Sequence, residues 1–261
     1  MQKRYLFFPV LLMIPMIFLL VDWVQPPKKW RNTPPGSLYT DSIIWTNTLA
    51  STNIGKPAYQ FVQRDTNLPD VLVMGNSISI GYTAPLRNSL AGKANVYRIP
   101  DNGRDIRKGV NKASFWLAGG KGWEVIHFNW GLHDFKRLVN GQFDSSGDRY
   151  VSPTEYKQKL DTLIQKLLET DAQLIFATTT VVPDSAQGRI KGDEILYNEL
   201  AFQVLANYPQ IMLDDQHRTS LTQPEYQKPK NVHFLPEGYD FLAKFTAKRI
   251  LQGLMTYAST H

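Results

Sequence analysis

The chain has 261 residues, of which 43% are hydrophobic and 20% charged, a composition typical of a folded domain and not of a disordered chain. It contains no cysteine, which excludes disulfides, thiol nucleophiles and a lipidated amino-terminal cysteine. The formal net charge is +6, but the basic residues are scattered and form no stripe interleaved with aromatic residues, so we expect no nucleic-acid partner.

The amino terminus carries an uncharged apolar run over residues 5–21, which Lys3 and Arg4 precede. This run is just long enough to span a bilayer, and no small-residue cleavage site follows it. We therefore expect a membrane anchor within residues 1–24, with the remaining chain outside the cytoplasm, which would be the periplasm if the source is a Gram-negative bacterium. A cleaved segment would instead give a secreted protein, and a buried helix of the folded domain is a third interpretation.

Residues 25–69 are rich in Pro, Thr, Asn and Ser and predict a linker and an irregular lead-in, with one short helix near 41–49. A globular domain is predicted to follow over residues 70–258. Its strands are expected at residues 71–74, 95–99, 123–129, 173–178 and 211–213, and its helices at about 84–90, 106–117, 156–168, 193–207 and 236–257. This alternation predicts an α/β fold whose central parallel sheet, of about five strands, is covered by helices on both faces.

A serine stands on the turn that follows the first predicted strand. The apolar residues 71–74 run into Gly75, Asn76 and Ser77, and a helix-like run comes next. Such a serine lies at the carboxyl end of the sheet, where open α/β folds bind ligands and where a helix N-terminus offers free N–H groups. Taken alone, the turn is better explained by a serine that only caps the helix.

Three further polar loops are expected at the same edge of the sheet as Ser77. They follow the second and third strands and precede the last helix, and they carry Asn102 with Gly103, residues 131–134 and His233. A serine hydroxyl becomes a nucleophile when a nearby base takes its proton, and histidine has a suitable pKa for this task. The oxyanion that follows needs preorganised hydrogen-bond donors. The loops together carry side chains for each of these tasks.

The order and spacing of these blocks resemble the SGNH (GDSL-like) hydrolases, a family of esterases and lipases. The resemblance covers residues 70–257. The family's strand-Gly-Asp-Ser-x-Ser/Thr-x-Gly block is matched by residues 75–81, GNSISIG, its Gly-x-Asn-Asp block by residues 131–134, GLHD, and its Asp-x-x-His block by residues 230–233, KNVH. The resemblance implies a three-layer α/β/α sandwich of flavodoxin-like architecture.

The resemblance also implies roles for individual residues. Ser77 would be the nucleophile and His233 its base, and the N–H groups of Ser77 and Gly103 would form the oxyanion hole together with His133. Histidine stands here in place of the family's asparagine, and a neutral imidazole N–H can also donate to an oxyanion. Asn102 is an alternative to Gly103 as a donor, and His133 can instead have a structural role.

Three positions depart from the family pattern, namely Asn76 in place of aspartate, His133 in place of asparagine and Lys230 in place of the acid of the triad. Without that acid, His233 needs another orienting group, either a backbone carbonyl or a carboxylate from elsewhere. Asp214 and Asp215, at the end of the fifth predicted strand, are candidates.

Several other residues are expected around the site without taking part in the chemistry. We expect Asn76 at a structural position and Asp134 to fix its own loop. His127, inside the third strand, is expected in the core or behind the site. Trp130 and Phe135 flank the third loop, where they either line the substrate cleft or pack in the core.

We therefore expect a membrane-anchored serine esterase that cleaves a small-molecule or glycan ester, such as an O-acetyl group on carbohydrate, through an acyl-serine intermediate. A lipase or thioesterase of the same fold is one alternative, and a catalytically inactive domain that binds a glycan or a partner is another. No cofactor is expected, because the histidines lack an i, i+4 pair for zinc and the residues around Ser77 lack the Lys-Ser/Thr of a nucleotide site.

Overall fold

The computed structural model describes residues 34–118 and 122–261. The anchor segment predicted within residues 1–24 lies outside the described residues. Among the described residues, no helix combines the length and the apolar composition that crossing a membrane requires.

Seven strands and eight α-helices make up the described fold. The strands are β1 (Asp70–Met74), β2 (Asn95–Arg98), β3 (Val125–Phe128), β4 (Leu138–Val139), β5 (Gln142–Phe143), β6 (Gln173–Ala177) and β7 (Met212–Asp214). The helices are α1 (Ser37–Thr40), α2 (Ser42–Thr48), α3 (Ser77–Ser89), α4 (Ile106–Leu117), α5 (Pro153–Leu168), α6 (Asp193–Leu205), α7 (Gln216–Leu221) and α8 (Pro236–Thr260).

The main sheet has five parallel strands in the order β2-β1-β3-β6-β7, while β4 and β5 form a separate antiparallel hairpin. Helices α3 and α8 pack together, as do α4, α5 and α6, so that helices cover both faces. The fold is thus a three-layer α/β/α sandwich with the strand order of flavodoxin-like proteins, and the predicted fold class is confirmed. The order changes direction at β1 and β3, which places their carboxyl ends at the site.

The central strand β1 explains why the first apolar run is uninterrupted. Its residues Val71–Met74 are fully buried, because helices cover the sheet on both sides. Register pairs Met74 with Phe128 of β3, so the two strands end side by side. The polar loops that follow them are therefore neighbours at the same edge of the sheet.

Helix α3 begins at Ser77 and not near residue 84, as the sequence had predicted. Ile78, Ile80 and Gly81 weaken the local helical propensity, but packing against α8 and a cap on the first turn outweigh that preference. The sequence analysis did not predict α7 or the β4–β5 hairpin.

The lead-in before β1 is part of the folded unit and not a free linker. Tyr39 and Trp45 are buried, and the Tyr39 hydroxyl donates a 2.6 Å hydrogen bond to the Trp116 carbonyl. The Trp45 indole donates to the Tyr59 carbonyl at 2.9 Å. Helix α2 agrees with the helix predicted near 41–49, and the compact unit begins before residue 70.

Candidate active site

Ser77 occupies the first position of α3, directly after the turn that ends β1. The Asn76 side chain caps the helix by accepting a 3.1 Å hydrogen bond from the Ile78 N–H. Within the described residues the Ser77 N–H has no hydrogen-bond partner, as expected for an amide in the first turn of a helix. The serine hydroxyl and a free backbone donor thus stand together at the positive end of the helix.

Asparagine at position 76 matches its surroundings better than aspartate would. Its Nδ2 donates to Oδ1 of Asn129 at 3.2 Å, and Nδ2 of Asn129 donates in turn to the Ala177 carbonyl at 2.7 Å. Because Nδ2 of Asn129 faces Ala177, Oδ1 of Asn129 faces residue 76 and needs a hydrogen-bond donor there. The side chain of asparagine has such a donor, and an aspartate carboxylate does not. Through these two hydrogen bonds, Asn76 links the ends of β1, β3 and β6.

His233 lies opposite Ser77, although 156 positions separate them in the chain. Its Nε2 is 2.9 Å from the Ser77 Oγ, within the reach that proton transfer between a nucleophile and its base requires. The pKa of His233 is lowered by burial and by the positive charges of Arg189 and Lys228. The imidazole is therefore held in the neutral form that can accept a proton.

Asn231 orients His233, and sequence reasoning missed it. Its Oδ1 lies 2.8 Å from the His233 Nδ1 and also accepts a 3.0 Å hydrogen bond from the His233 backbone N–H. A backbone N–H can only donate, so this atom is the amide oxygen, and the ring nitrogen facing it carries the proton. The Nε2 lone pair is consequently free for the Ser77 hydroxyl. An asparagine two residues before the histidine is the sequence signal for this contact.

Lys230, which stands where SGNH hydrolases carry the acid of the triad, lies in an exposed turn. Lys230 has a φ of 55° and an exposed side chain within the tight turn that Asn231 closes by donating to the Lys228 carbonyl at 3.1 Å. The Lys228 N–H donates to the His233 carbonyl at 2.9 Å, which ties the histidine to the same turn. The turn therefore presents the residue at 231, and not that at 230, to the imidazole.

Neither Asp214 nor Asp215 replaces the missing acid. The buried Asp214 carboxylate receives hydrogen bonds from His127 Nε2 at 2.9 Å and from the Thr246 hydroxyl at 2.8 Å. Asp215 caps α7 and accepts from the Thr178 hydroxyl at 3.1 Å. Both ring nitrogens of His233 already have partners, so the proposal that one of these carboxylates orients it is wrong.

Gly103 is not a free oxyanion donor, which corrects the sequence-based expectation. Its N–H donates to the Gly75 carbonyl at 2.9 Å, and its carbonyl accepts from the Trp130 indole at 3.2 Å. A Cβ at this position would come within 2.7 Å of the Gly75 oxygen, so glycine is needed for the close approach of two loops. Asn102 accepts from the Arg104 N–H at 2.9 Å through Oδ1, and its Nδ2 has no partner among the described residues.

His133 is held neutral beside the pair. Its pKa is lowered to about 3 by burial, by the positive charges of Arg189, Lys136 and Arg104, and by His233. Its Nδ1 is buried and has no hydrogen-bond partner in the described part of the chain. An unpaired buried polar atom beside a nucleophile is typical of a group that a ligand completes.

Asp134 and its aromatic neighbours support the site from within the core. Asp134 is buried and accepts a 2.7 Å hydrogen bond from the Ile106 N–H, which fixes the loop after β3 to the start of α4. Burial raises the pKa of this carboxyl well above its ordinary value. Trp130 and Phe135 are fully buried, so they pack in the core and do not line a cleft.

A second residue that the sequence did not reveal is Arg98, which is fully buried in β2. Its guanidinium donates to the Asp101 carbonyl at 3.0 Å, to the Thr83 hydroxyl at 3.2 Å and to the Ser79 hydroxyl at 3.4 Å. These contacts tie the loop after β2 to the first turns of α3. Arg98 thereby fixes the position of Asn102 relative to Ser77.

Comparison with known proteins gives a likeness in fold. No family model matches the chain, and no curated protein matches its sequence. Among solved structures, the lipase/acylhydrolase from Enterococcus faecalis superposes with a TM-score of 0.59 at 15% identity, covering 70% of this chain and 96% of that one. The acetyl xylan esterase AlAXEase superposes with a TM-score of 0.57 at 15% identity, covering 69% of this chain and 99% of that one. The acetylxylan esterase Axe2 from Geobacillus stearothermophilus superposes with a TM-score of 0.56 at 16% identity, covering 70% of this chain and 94% of that one.

Proposed function

We propose that the protein is an SGNH-type serine esterase that hydrolyses a carboxylic ester. The observation that carries this proposal is the contact of 2.9 Å between Ser77 Oγ and His233 Nε2, in a ring whose opposite nitrogen is held by Asn231 at 2.8 Å. A nucleophile, a base and a group that orients the base are the three parts that acyl transfer to serine requires. A domain that only binds its ligand has no need for this aligned set.

In the first half of the reaction, Ser77 Oγ attacks the ester carbonyl carbon as its proton moves to His233 Nε2. The tetrahedral intermediate then collapses, the bond to the alcohol oxygen breaks, and the imidazolium gives its proton to that oxygen. In the second half, His233 takes a proton from water, the hydroxide attacks the acyl-serine, and the Ser77 oxygen leaves with the proton from His233.

The oxyanion is stabilised by donors that have no other partner. The Ser77 N–H is free at the start of α3, the side-chain amide of Asn102 has an unused Nδ2, and the buried Nδ1 of His133 is unpaired. Each can donate to an oxygen that becomes negatively charged only during the reaction. Because His133 is neutral, its N–H supplies polarity to this position without a full charge.

The substrate class is proposed from the site and from its structural neighbours. Two of the similar structures are described as acetyl xylan esterases and one as a lipase/acylhydrolase, and a catalytic mutant of one of the xylan esterases replaces a serine by alanine. We take a short acyl group such as acetyl, on carbohydrate, as the substrate of this chain. A lipase or thioesterase activity is the alternative within the same chemistry.

Labelling with a fluorophosphonate probe tests this function. We expect the wild type to be labelled and to hydrolyse 4-nitrophenyl acetate, and we expect S77A to lose both properties while it remains folded. The matched control is S259A, since Ser259 is an exposed serine near the end of α8. Well-folded wild type that is neither labelled nor active on the ester would contradict the proposal.

We also propose that residues 5–21 anchor the catalytic domain outside the cytoplasm. The support is the uncharged apolar run and its flanking basic residues. The full chain should remain with membranes under alkaline extraction, and a variant lacking residues 1–24 should be released. A full chain that is found entirely in the soluble fraction, with its amino terminus intact, would exclude the anchor.

A further inference from the structure

Three basic side chains without an acidic partner lie near His133, beside the Ser77–His233 pair, and their positive charges lower the pKa of that histidine. They are Arg104, Lys136 and Arg189, and none of them forms an ion pair within the described part of the chain. Each belongs to a loop at the carboxyl edge of the sheet, following β2, β3 and β6 respectively. The three loops also carry or adjoin Asn102 and His133, which are the proposed oxyanion donors.

The basic residues nearby on the same face behave differently. Arg107 forms an ion pair with Glu155 at 2.6 Å, and Arg137 and Arg149 both pair with Asp193, at 3.1 Å and 2.7 Å. Lys228, whose positive charge also lowers the pKa of His233, likewise forms no ion pair among the described residues, so the cations closest to the site lack counter-ions. A surface that neutralises its outer arginines and leaves the inner cations free has the charge pattern of an anion site.

Arg189 is built into the site and is not a freely moving surface side chain. It is 9% exposed, and its Nε donates to the Leu132 carbonyl at 3.2 Å, directly before His133. Its Nη1 donates to the Gln187 carbonyl at 3.1 Å, and the guanidinium lies 5.2 Å from the ring centre of Phe143. These contacts use two of its nitrogens, and Nη2 has no hydrogen-bond partner among the described residues.

Lys136 and Arg104 complete the cluster. Lys136 is 6% exposed, and its Nζ lies 4.1 Å from the ring centre of Tyr150. Arg104 has an exposed side chain, and its backbone is held at a φ of 50° by the hydrogen bond to Asn102. Arg107 also lies 5.2 Å from the ring centre of Tyr150, so that ring is shared by two cations, whereas the partly exposed ring of Phe143 has only Arg189 over it among the described residues.

The three charges act on one another as well as on the site. Arg104 and Arg189 lower the pKa of Lys136, and all three lower the pKa of His133. Asp105 and Asp134 act in the opposite direction on Lys136, but each carboxylate already accepts a hydrogen bond from the backbone of α4. Holding like charges together costs free energy, which an anionic ligand would offset.

We propose that the substrate carries an anionic group next to its ester, and that Arg104, Lys136 and Arg189 bind this group. The exposed ring of Phe143 beside Arg189 suits a sugar ring, so the substrate class is an esterified acidic carbohydrate, with carboxylate, sulfate or phosphate as the anion. This inference rests on the proposed esterase function and specifies its substrate.

A matched pair of esters tests the inference kinetically. 4-Carboxyphenyl acetate and 4-carbamoylphenyl acetate differ in charge but little in shape. We expect the wild type to prefer the anionic ester in kcat/KM, and R104Q, K136Q and R189Q each to lower that preference by about tenfold. Added salt should weaken the preference in the wild type. K166Q is the control, since Lys166 lies in the last turn of α5, and it should keep the preference of the wild type.

R104Q is the variant least prone to misfold, because the Arg104 side chain makes no hydrogen bond or ion pair among the described residues. A loss of preference in R104Q can therefore be assigned to the missing charge. If the wild type hydrolyses both esters equally well, the anion site is excluded while the esterase function stands. If it hydrolyses neither, the esterase function fails, and the anion site is then judged by binding alone.

Binding is measured by calorimetry on S77A, which cannot turn over an ester. Oligogalacturonate, a sulfated oligosaccharide and inorganic phosphate distinguish the three anions, and neutral xylo-oligosaccharide is the control. We expect at least one anionic probe to bind more tightly than the neutral control and to lose that advantage in S77A/R189Q. Equal or absent binding of all four probes would overturn the proposal.

Discussion

Asn231 holds the imidazole of His233 through a single amide oxygen, which accepts one hydrogen bond from the ring at 2.8 Å and another from the backbone at 3.0 Å. The contact supplies the orientation and the tautomer that a base needs, but no negative charge. Where an aspartate would also stabilise the imidazolium, this site relies on geometry alone. The function of the pair should therefore depend strongly on the side chain at position 231.

Replacing Asn231 by alanine should lower kcat/KM for 4-nitrophenyl acetate by about 100-fold, because His233 loses its ring partner and its fixed tautomer. Stability should change little, since Asn231 is exposed. Steady-state kinetics and thermal unfolding of the same preparation measure both effects. N207A, at an exposed asparagine after α6, is the matched control. If N231A keeps wild-type activity, another group orients the base.

Asn231→Asp should have the opposite effect. A carboxylate keeps the acceptor in place and adds a negative charge, which raises the pKa of His233. We expect the acid limb of kcat/KM to move upward by about one pH unit and the plateau above it to rise by about tenfold. The pH profile separates this electrostatic effect from a structural one. An unchanged limb would show that the residue does not face the titrating group.

The wild-type pH profile should reflect the charges around His233. Burial and the positive charges of Arg189 and Lys228 lower its pKa, and protonation removes the base. Activity should therefore persist at pH values below about 6.5, the ordinary pKa of histidine. K228Q removes one of these charges and should move the acid limb upward, whereas K166Q should leave it in place. A wild-type midpoint above that ordinary value would contradict the charge distribution described above.

The close packing of α3 on α8 should be needed for both stability and activity. A Cβ at Gly81 would come within 2.0 Å of the ring of Tyr239, so G81A forces the two helices apart. We expect a loss of about 1–3 kcal/mol in the free energy of unfolding. Because Ser77 begins α3 and His233 precedes α8, kcat/KM should fall as well.

The double variant G81A/Y239A provides the control for this steric explanation. Removing the ring should make the glycine substitution much less costly, so that urea unfolding gives a coupling energy between the two sites. Additive losses in the two single variants and in the double variant would show that the ring is not what limits the approach of the helices.

Asp214 should matter for folding and not for catalysis. It accepts hydrogen bonds from His127 and Thr246 inside the core, and D214N should lower the free energy of unfolding by about 2 kcal/mol. The folded fraction should keep kcat/KM within about twofold of the wild type, in contrast to N231A. Urea unfolding and kinetics at low temperature measure the two quantities. A large loss of activity in a D214N variant that remains stable would show that the Asp214 carboxylate takes part in catalysis.

Local patterns in the sequence were enough to predict the architecture. The five apolar runs became the five parallel strands, and α4 has the bounds predicted for it, Ile106–Leu117. An apolar run indicates which positions are buried, and the burial of a position depends mainly on the residue itself and its near neighbours in the chain. The order of the blocks also placed Ser77 and His233 at one edge, because parallel strands all end there.

Contacts between distant loops could not be predicted in the same way. The partner of the Gly103 amide is the Gly75 carbonyl, and the start of α3 at Ser77 depends on its packing against α8. Both outcomes are decided by which groups the fold brings together, and not by the local sequence. The packing of residues 37–59 on the domain was missed for the same reason.

The sequence by itself determined the sheet, the nucleophile turn and the late histidine, since each depends on periodicity and block order. Only the tertiary structure decided that Asn231 orients His233, that Asp214 accepts a hydrogen bond from His127, and that the positive charges of Arg104, Lys136 and Arg189 act on His133. The physical reason is that a hydrogen bond or a charge cluster is fixed by distances of a few ångströms between segments far apart in the chain. Those distances are set by the turns and the packing of the whole domain.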